Sequence, residues 1–172
     1  MINGVEKMRG GRRKSAVAVV IGLFVALTST IGVGSASAIP EYTEPNFVTT
    51  LKCGSANPWP LGPLPVRVDV YNQIRFPADG LPGPAISLIG YSLTRPQALE
   101  YTAVVKVTWR NLQSGRTGSV TVPGRAPSVR WQADLHPGSG PVAFTIHQTI
   151  GAMAFVPMVN PKKSTCSGRA TA

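Results

Sequence analysis

The chain has 172 residues, a formal net charge of +10, 18 Gly, 16 Pro, and only 2 Cys and 2 His. So many prolines exclude a predominantly helical fold, because each removes a backbone donor and fixes φ. Two Cys and two scattered His lack the ligand spacing of a zinc site, so neither a metal nor a cofactor is expected.

In chain order, the first 38 residues read as a leader. Lys7, Arg9, Arg12, Arg13 and Lys14 precede an apolar run over residues 15–33, and Ala36-Ser37-Ala38 closes it. A basic start, an apolar middle and an A-x-A ending make an N-terminal signal peptide helix, cleaved after Ala38. The competing reading is an uncleaved anchor, since about 20 apolar residues span a bilayer. Thr28, Ser29, Thr30 and several Gly weaken the far half of the run. Membrane contact is expected only through this segment, where it stays uncleaved. The remaining domain, residues 39–172, carries 12 Lys and Arg against 6 Asp and Glu, and all 16 Pro. It also holds Cys53 and Cys166. An even count in an exported chain implies a disulfide between them, and the protein is expected to be secreted or held in the cell envelope.

Residues 46–52 form a first short strand. Residues 54–65 hold four Pro and two Gly, an irregular loop whose Trp59 is expected to fold back over an edge of the core. Residues 66–71 alternate cleanly, with Val66, Val68 and Val70 inward and Arg67, Asp69 and Tyr71 outward. Ile74 and Phe76 would continue this strand past a bulge at Asn72-Gln73. Residues 85–90 form a strand with Ile86 and Leu88 on one face. A connection follows, with one helical turn expected over 97–101.

The clearest period lies next. Tyr101, Ala103, Val105, Val107 and Trp109 make an apolar face, and Thr102, Lys106, Thr108 and Arg110 a polar one, the mark of a half-buried strand. With a turn over 111–118 and a strand over 119–122, this reads as a hairpin. A turn over 123–127 follows. Residues 128–135 place Val129, Trp131, Ala133 and Leu135 inward and Arg130, Gln132 and Asp134 outward. Residues 141–148 place Val142, Phe144 and Ile146 on one face, residues 152–156 give a last strand, and residues 158–172 read as a tail. About seven to eight short strands between Gly/Pro turns mean an all-β antiparallel sandwich.

With the leader, Trp109 within WRNLQSGRTG, the following SVTVPG and Cys166, the chain resembles small exported immunoglobulin-like β-sandwich proteins of high-GC Gram-positive envelopes. The resemblance implies a fold and an envelope location and carries no activity. The chain departs from antibody domains, in which the Cys bridge two strands across the core with a Trp between them. Here the Cys lie near the two ends of the domain.

Chemistry is sparse. Nucleophilic catalysis needs Ser or Cys beside a base held by a carboxylate. Asp134, His136 and Ser139 are too close in sequence to project onto one another, and His147 alternates outward on a strand. The carboxylates are scattered, against the facing pair that glycoside hydrolysis needs. No phosphate loop, dinucleotide fingerprint or calcium loop occurs. No catalytic residue is therefore assigned, and a secreted hydrolase using His136 or His147 as base is the alternative. A second alternative is a carrier of an apolar ligand between the sheets, with Trp59, Met153 and Met158 at a cavity mouth. The preferred reading is a binding or structural protein in which Arg67, Lys106, Arg110 and Arg130, all on outward faces, meet an anionic envelope polymer or lipid headgroups by Coulomb attraction. Nucleic acid is not expected, because readers of single strands interleave exposed aromatics with basic groups, and only Tyr71 alternates clearly outward.

Overall fold

The structure is a computed structural model that describes residues 40–93 and 99–172. The leader and residues 97–98 of the expected helical turn lie outside the described residues. Tyr101, also placed in that turn, stands instead in a strand.

Eight strands follow a short 3₁₀ turn at Glu44–Asn46. They are β1 (Phe47–Lys52), β2 (Val66–Ile74), β3 (Ala85–Ser92), β4 (Glu100–Asn111), β5 (Thr117–Ala126), β6 (Arg130–Leu135), β7 (Pro141–Ala154) and β8 (Val156–Thr171). They form two four-stranded antiparallel sheets, ordered β1-β2-β3-β6 and β5-β4-β7-β8. The molecule is a β-sandwich.

The alternating apolar rows meet between the sheets. Val66, Val68, Val70, Ile86, Leu88, Trp131 and Leu135 of the first sheet share one core with Tyr101, Val105, Val107, Val142, Phe144, Ile146 and Ile150 of the second. Burying each such side chain is worth about 1.5–3 kcal/mol. One position in the β7 row is polar. Gln148 is buried, its Oε1 accepts from Trp131 Nε1 at 3.2 Å, and its Nε2 donates to the Cys53 carbonyl at 3.2 Å. It therefore fastens both sheets with both ends of its amide satisfied, the condition under which a polar group is tolerated inside.

Three expectations change. β8 is the largest: residues 158–172 are not a tail but the greater part of a 16-residue edge strand paired with β7. The strands expected at 141–148 and 152–156 are largely one, β7, because Gly151 continues the ladder. β5 runs through Pro123, which the turn expectation did not allow. Pro is tolerated there because β5 is an edge strand with a side that needs no donor. The bulge at Asn72-Gln73 is present, with Gln73 at φ 51, and β2 ends at Ile74, leaving Phe76 exposed.

The two lateral seams are closed differently. Cys53, just after β1, is bonded to Cys166 on β8, so a disulfide clamps one seam. At the other seam only residues 127–129 separate β5 from β6, and the sheets approach so closely that a Cβ on Gly124 would lie 2.7 Å from the Arg130 carbonyl oxygen. Gly90 matters in another way. A Cβ there would run into the Trp131 indole, which the Gln148 bond holds in place. Gly90→Ala is expected to lower the unfolding free energy by about 2–3 kcal/mol through overpacking, read as a lower urea midpoint at unchanged slope.

Candidate functional site

The register sorts the outward side chains into cross-strand rows. On the first sheet, Lys52 faces Arg67, Arg67 faces Tyr91, and Tyr91 faces Arg130. One row thus carries three cations across four strands. The row beside it carries Asp69, whose Oδ1 accepts from Thr50 Oγ1 at 2.6 Å. Partial burial and the neighbouring Asp69 raise the Tyr91 phenol above its ordinary range, while Arg67 acts against them. The cations of this face therefore stand beside carboxylate charge.

Asp134 lies on the same outer face but is buried. It accepts from Ser87 Oγ, and from the Ala78 backbone N–H at 2.9 Å. Tyr42 covers this pair from the lead-in segment, its ring 4.9 Å from that of Tyr71. Burial, opposed by Ser87 and assisted by Asp134, pushes the Tyr42 phenol up to about 12.

The outer face of the second sheet differs. Thr121, Lys106, His147 and Thr165 form one row, and Ser119, Thr108, Thr145 and Ser167 the next. Thr117, Arg110, Ala143 and Arg169 follow on one side, and Pro123, Val104, Thr149 and Lys163 on the other. Alternation explains the composition: each residue occupies the outward phase of a strand whose inward phase fills the core. The face is a grid of hydroxyls carrying Lys106, Arg110, Lys163 and Arg169. Its one carboxylate, Glu100, sits at the far end and is bound to Arg125 at 2.8 Å. Among the described residues the only other ion pair is His136–Asp79, at 2.8 Å, so these four cations have no carboxylate partner there.

The four cations named from the sequence are thus divided. Arg67 and Arg130 stand in one row on the first sheet, and Lys106 and Arg110 on the second. Lys163 and Arg169 join the latter pair and were missed, because β8 read as a tail. The available signal was the outward phase Lys163, Thr165, Ser167, Arg169 against the small inward residues Ser164, Cys166, Gly168 and Ala170.

The structure does not assemble the Asp134, His136 and Ser139 set weighed from the sequence. His136 pairs with Asp79, not with Asp134, which is committed to Ser87 and Ala78. Ser139 lines a different cleft, of about 740 Å³, with Glu41, Arg75 and Gln73. His136 and Asp79 line a shallow cleft of about 270 Å³ with Trp109 and Ser119. His147 is exposed, its Nδ1 lies 3.4 Å from Thr165 Oγ1, and its cross-strand neighbour is Lys106. It therefore lacks the orienting carboxylate that a general base needs. Trp59 folds back as expected, half-buried against the core with Nε1 donating to the Glu100 carbonyl at 3.2 Å. Met153 faces Glu100 across β4 and β7, and Met158 lies against Gly151. The three proposed mouth residues thus gather at one end of the sandwich, near the tip of the β7–β8 hairpin. Among the described residues no group of three or more His, Cys, Asp or Glu is placed to hold a metal ion.

Compared with known proteins, the chain matches no family model, no curated protein and no solved structure.

Proposed function

We propose that this is an exported, non-catalytic protein of the cell envelope that binds an anionic polymer through the outer face of its second sheet. The observation that carries the reading is the segregation of charge. Asp69 and Asp134 lie on the outer face of the first sheet and Asp79 at the cleft between the sheets, whereas Lys106, Arg110, Lys163 and Arg169 lie among hydroxyls with no carboxylate partner among the described residues. Arg110 and Arg169 share a row two strands apart, about 10 Å, and Lys106 lies about 13 Å along β4 from Arg110. Spacings of this order suit the repeated charges of an extended phosphate or carboxylate polymer, and the intervening Ser and Thr hydroxyls donate hydrogen bonds to the same oxygens. The leader places the domain where such polymers occur, and the disulfide fits an oxidising compartment.

The kinship with immunoglobulin-like envelope domains is proposed at the level of architecture. In the immunoglobulin constant fold the second strand lies between the first and the fifth, whereas here β2 lies between β1 and β3. The turn over residues 75–84 keeps β2 and β3 in one sheet. Binding stands ahead of hydrolysis because the carboxylate–histidine pair among the described residues, His136–Asp79, comes from two turn segments and lines only a shallow cleft at the Ser119 edge of the grid.

The test is retention of the oxidised protein on immobilised teichoic-type polyphosphate and on a neutral polysaccharide. Retention on the anionic column alone, falling steeply between 50 mM and 150 mM salt as the screening length shortens toward about 8 Å, is expected. Equal passage through both columns rejects the reading.

A further inference from the structure

The β7–β8 hairpin ends in an apolar tip that takes no part in the cation grid. From Ile150 to Pro161 the sequence carries no charge, and its one polar side chain, Asn160, donates to the Pro58 carbonyl at 2.7 Å. Phe155 connects the strands and is fully exposed, with Val156 59% and Val159 36% exposed beside it. Leu61, from the loop that Asn160 holds, is 48% exposed. Phe155, Met158 and Asn160 have φ of 59°, 61° and 49°. Tight turns ordinarily place Gly or Asn in this region, and a bulky aromatic there is a conformational outlier. The chain thus spends backbone strain on holding a phenyl ring out in solvent, and strain of this kind clusters at functional positions.

We infer that this tip inserts into the interface of an anionic lipid bilayer. Within the tip Ala154 pairs with Val156 and Ala152 with Val159, with a register shift on either side of Ala152, so its backbone is only partly paired and suits the hydrated interface, not the hydrocarbon core. The charge pattern suits the same surface. Lys162 faces Ile150 and Lys163 faces Thr149, roughly 17 Å behind the tip at strand rise. Insertion of about 5–10 Å, usual for interfacial elements, brings both ammonium groups within reach of the lipid phosphates. Lys163 also continues the cation grid, so tip and grid can face one surface. The contact adds to any made by the leader.

The test uses the full oxidised chain on vesicles of phosphatidylglycerol and phosphatidylcholine with brominated acyl chains. A tryptophan probe is added by Phe155→Trp, or by Leu112→Trp on the turn at the opposite end of β4. Because the leader also partitions into lipid, the probe is read and not the bound fraction. Emission added at position 155 is expected to shift to shorter wavelength and be quenched, that at 112 to be unchanged, and Val156→Asp to abolish the quenching at 155. Lys106→Glu with Arg110→Glu should lose polymer retention and keep the quenching, so failure here is distinct from failure of the polymer reading. Unshifted emission at 155 on vesicles that hold the chain overturns the inference. So does lipid-free self-association abolished by Phe155→Ser, which would assign the tip to a second copy of the chain.

Discussion

Replacing both bridged cysteines, Cys53→Ala with Cys166→Ala, lowers the unfolding free energy by about 4–5 kcal/mol. The bridge closes a loop between residues 113 apart, and loop-closure entropy in the unfolded chain gives about that value for so long a loop. Most domains have only about 5–15 kcal/mol in total, so the variant should sit near its folding threshold at 37 °C. The position of the bridge makes the loss structural as well. β1 and β8 are edge strands of different sheets, and the seam between them has no short covalent link like the one that joins β5 to β6. The Cys53 carbonyl is also the acceptor for Gln148, and its N–H donates to the Val66 carbonyl at 2.8 Å. A seam that opens therefore loosens the Gln148–Trp131 tie in the core. Urea unfolding of the oxidised protein and the double variant measures the difference. A change below about 1 kcal/mol at equal slope would mean that packing across the seam holds the sheets without the bridge.

What the sequence revealed follows from what side-chain alternation encodes. β4, β6 and the first half of β7 were legible because bulky apolar residues occupy all their inward positions except Ala103 and Ala133. β8 was not, because its inward phase is Ser164, Cys166, Gly168 and Ala170, small residues that lie close under the edge. A Cβ on Gly168 would sit 2.7 Å from the Phe144 ring, so the position demands smallness, and smallness erases the hydropathy period. Alternation also shows that a residue points outward, but not on which sheet. Arg67 and Lys106 looked equivalent for that reason, although they occupy opposite faces. The disulfide was legible from the even count alone. The His136–Asp79 pair was not, since its partners stand 57 residues apart on separate turns. The exposed tip is hidden in the sequence because residues 152–156 hold no polar residue to mark a turn.

That division of the cations gives the second large effect. Lys106→Glu with Arg110→Glu is expected to weaken retention on an anionic polymer by two to three orders of magnitude at low salt. A cation near an anionic surface is worth about 1 kcal/mol, and reversal both removes that attraction and adds a comparable repulsion, so two reversals amount to about 4 kcal/mol. Each factor of ten corresponds to about 1.4 kcal/mol. Near-physiological salt shortens the screening length to about 8 Å and should reduce the effect to roughly tenfold. The control is Arg67→Glu with Arg130→Glu. It changes net charge by the same amount on the other sheet, in a row already flanked by Asp69, and should shift retention by less than about threefold. Both pairs are exposed on paired strands, so neither should alter the urea midpoint much. Equal weakening by the two pairs would show that net charge alone drives retention, and the grid would lose its claim to be a site. A large effect confined to Lys106 and Arg110 would extend the claim to Lys163 and Arg169, which share their face and complete the grid across β4, β7 and β8.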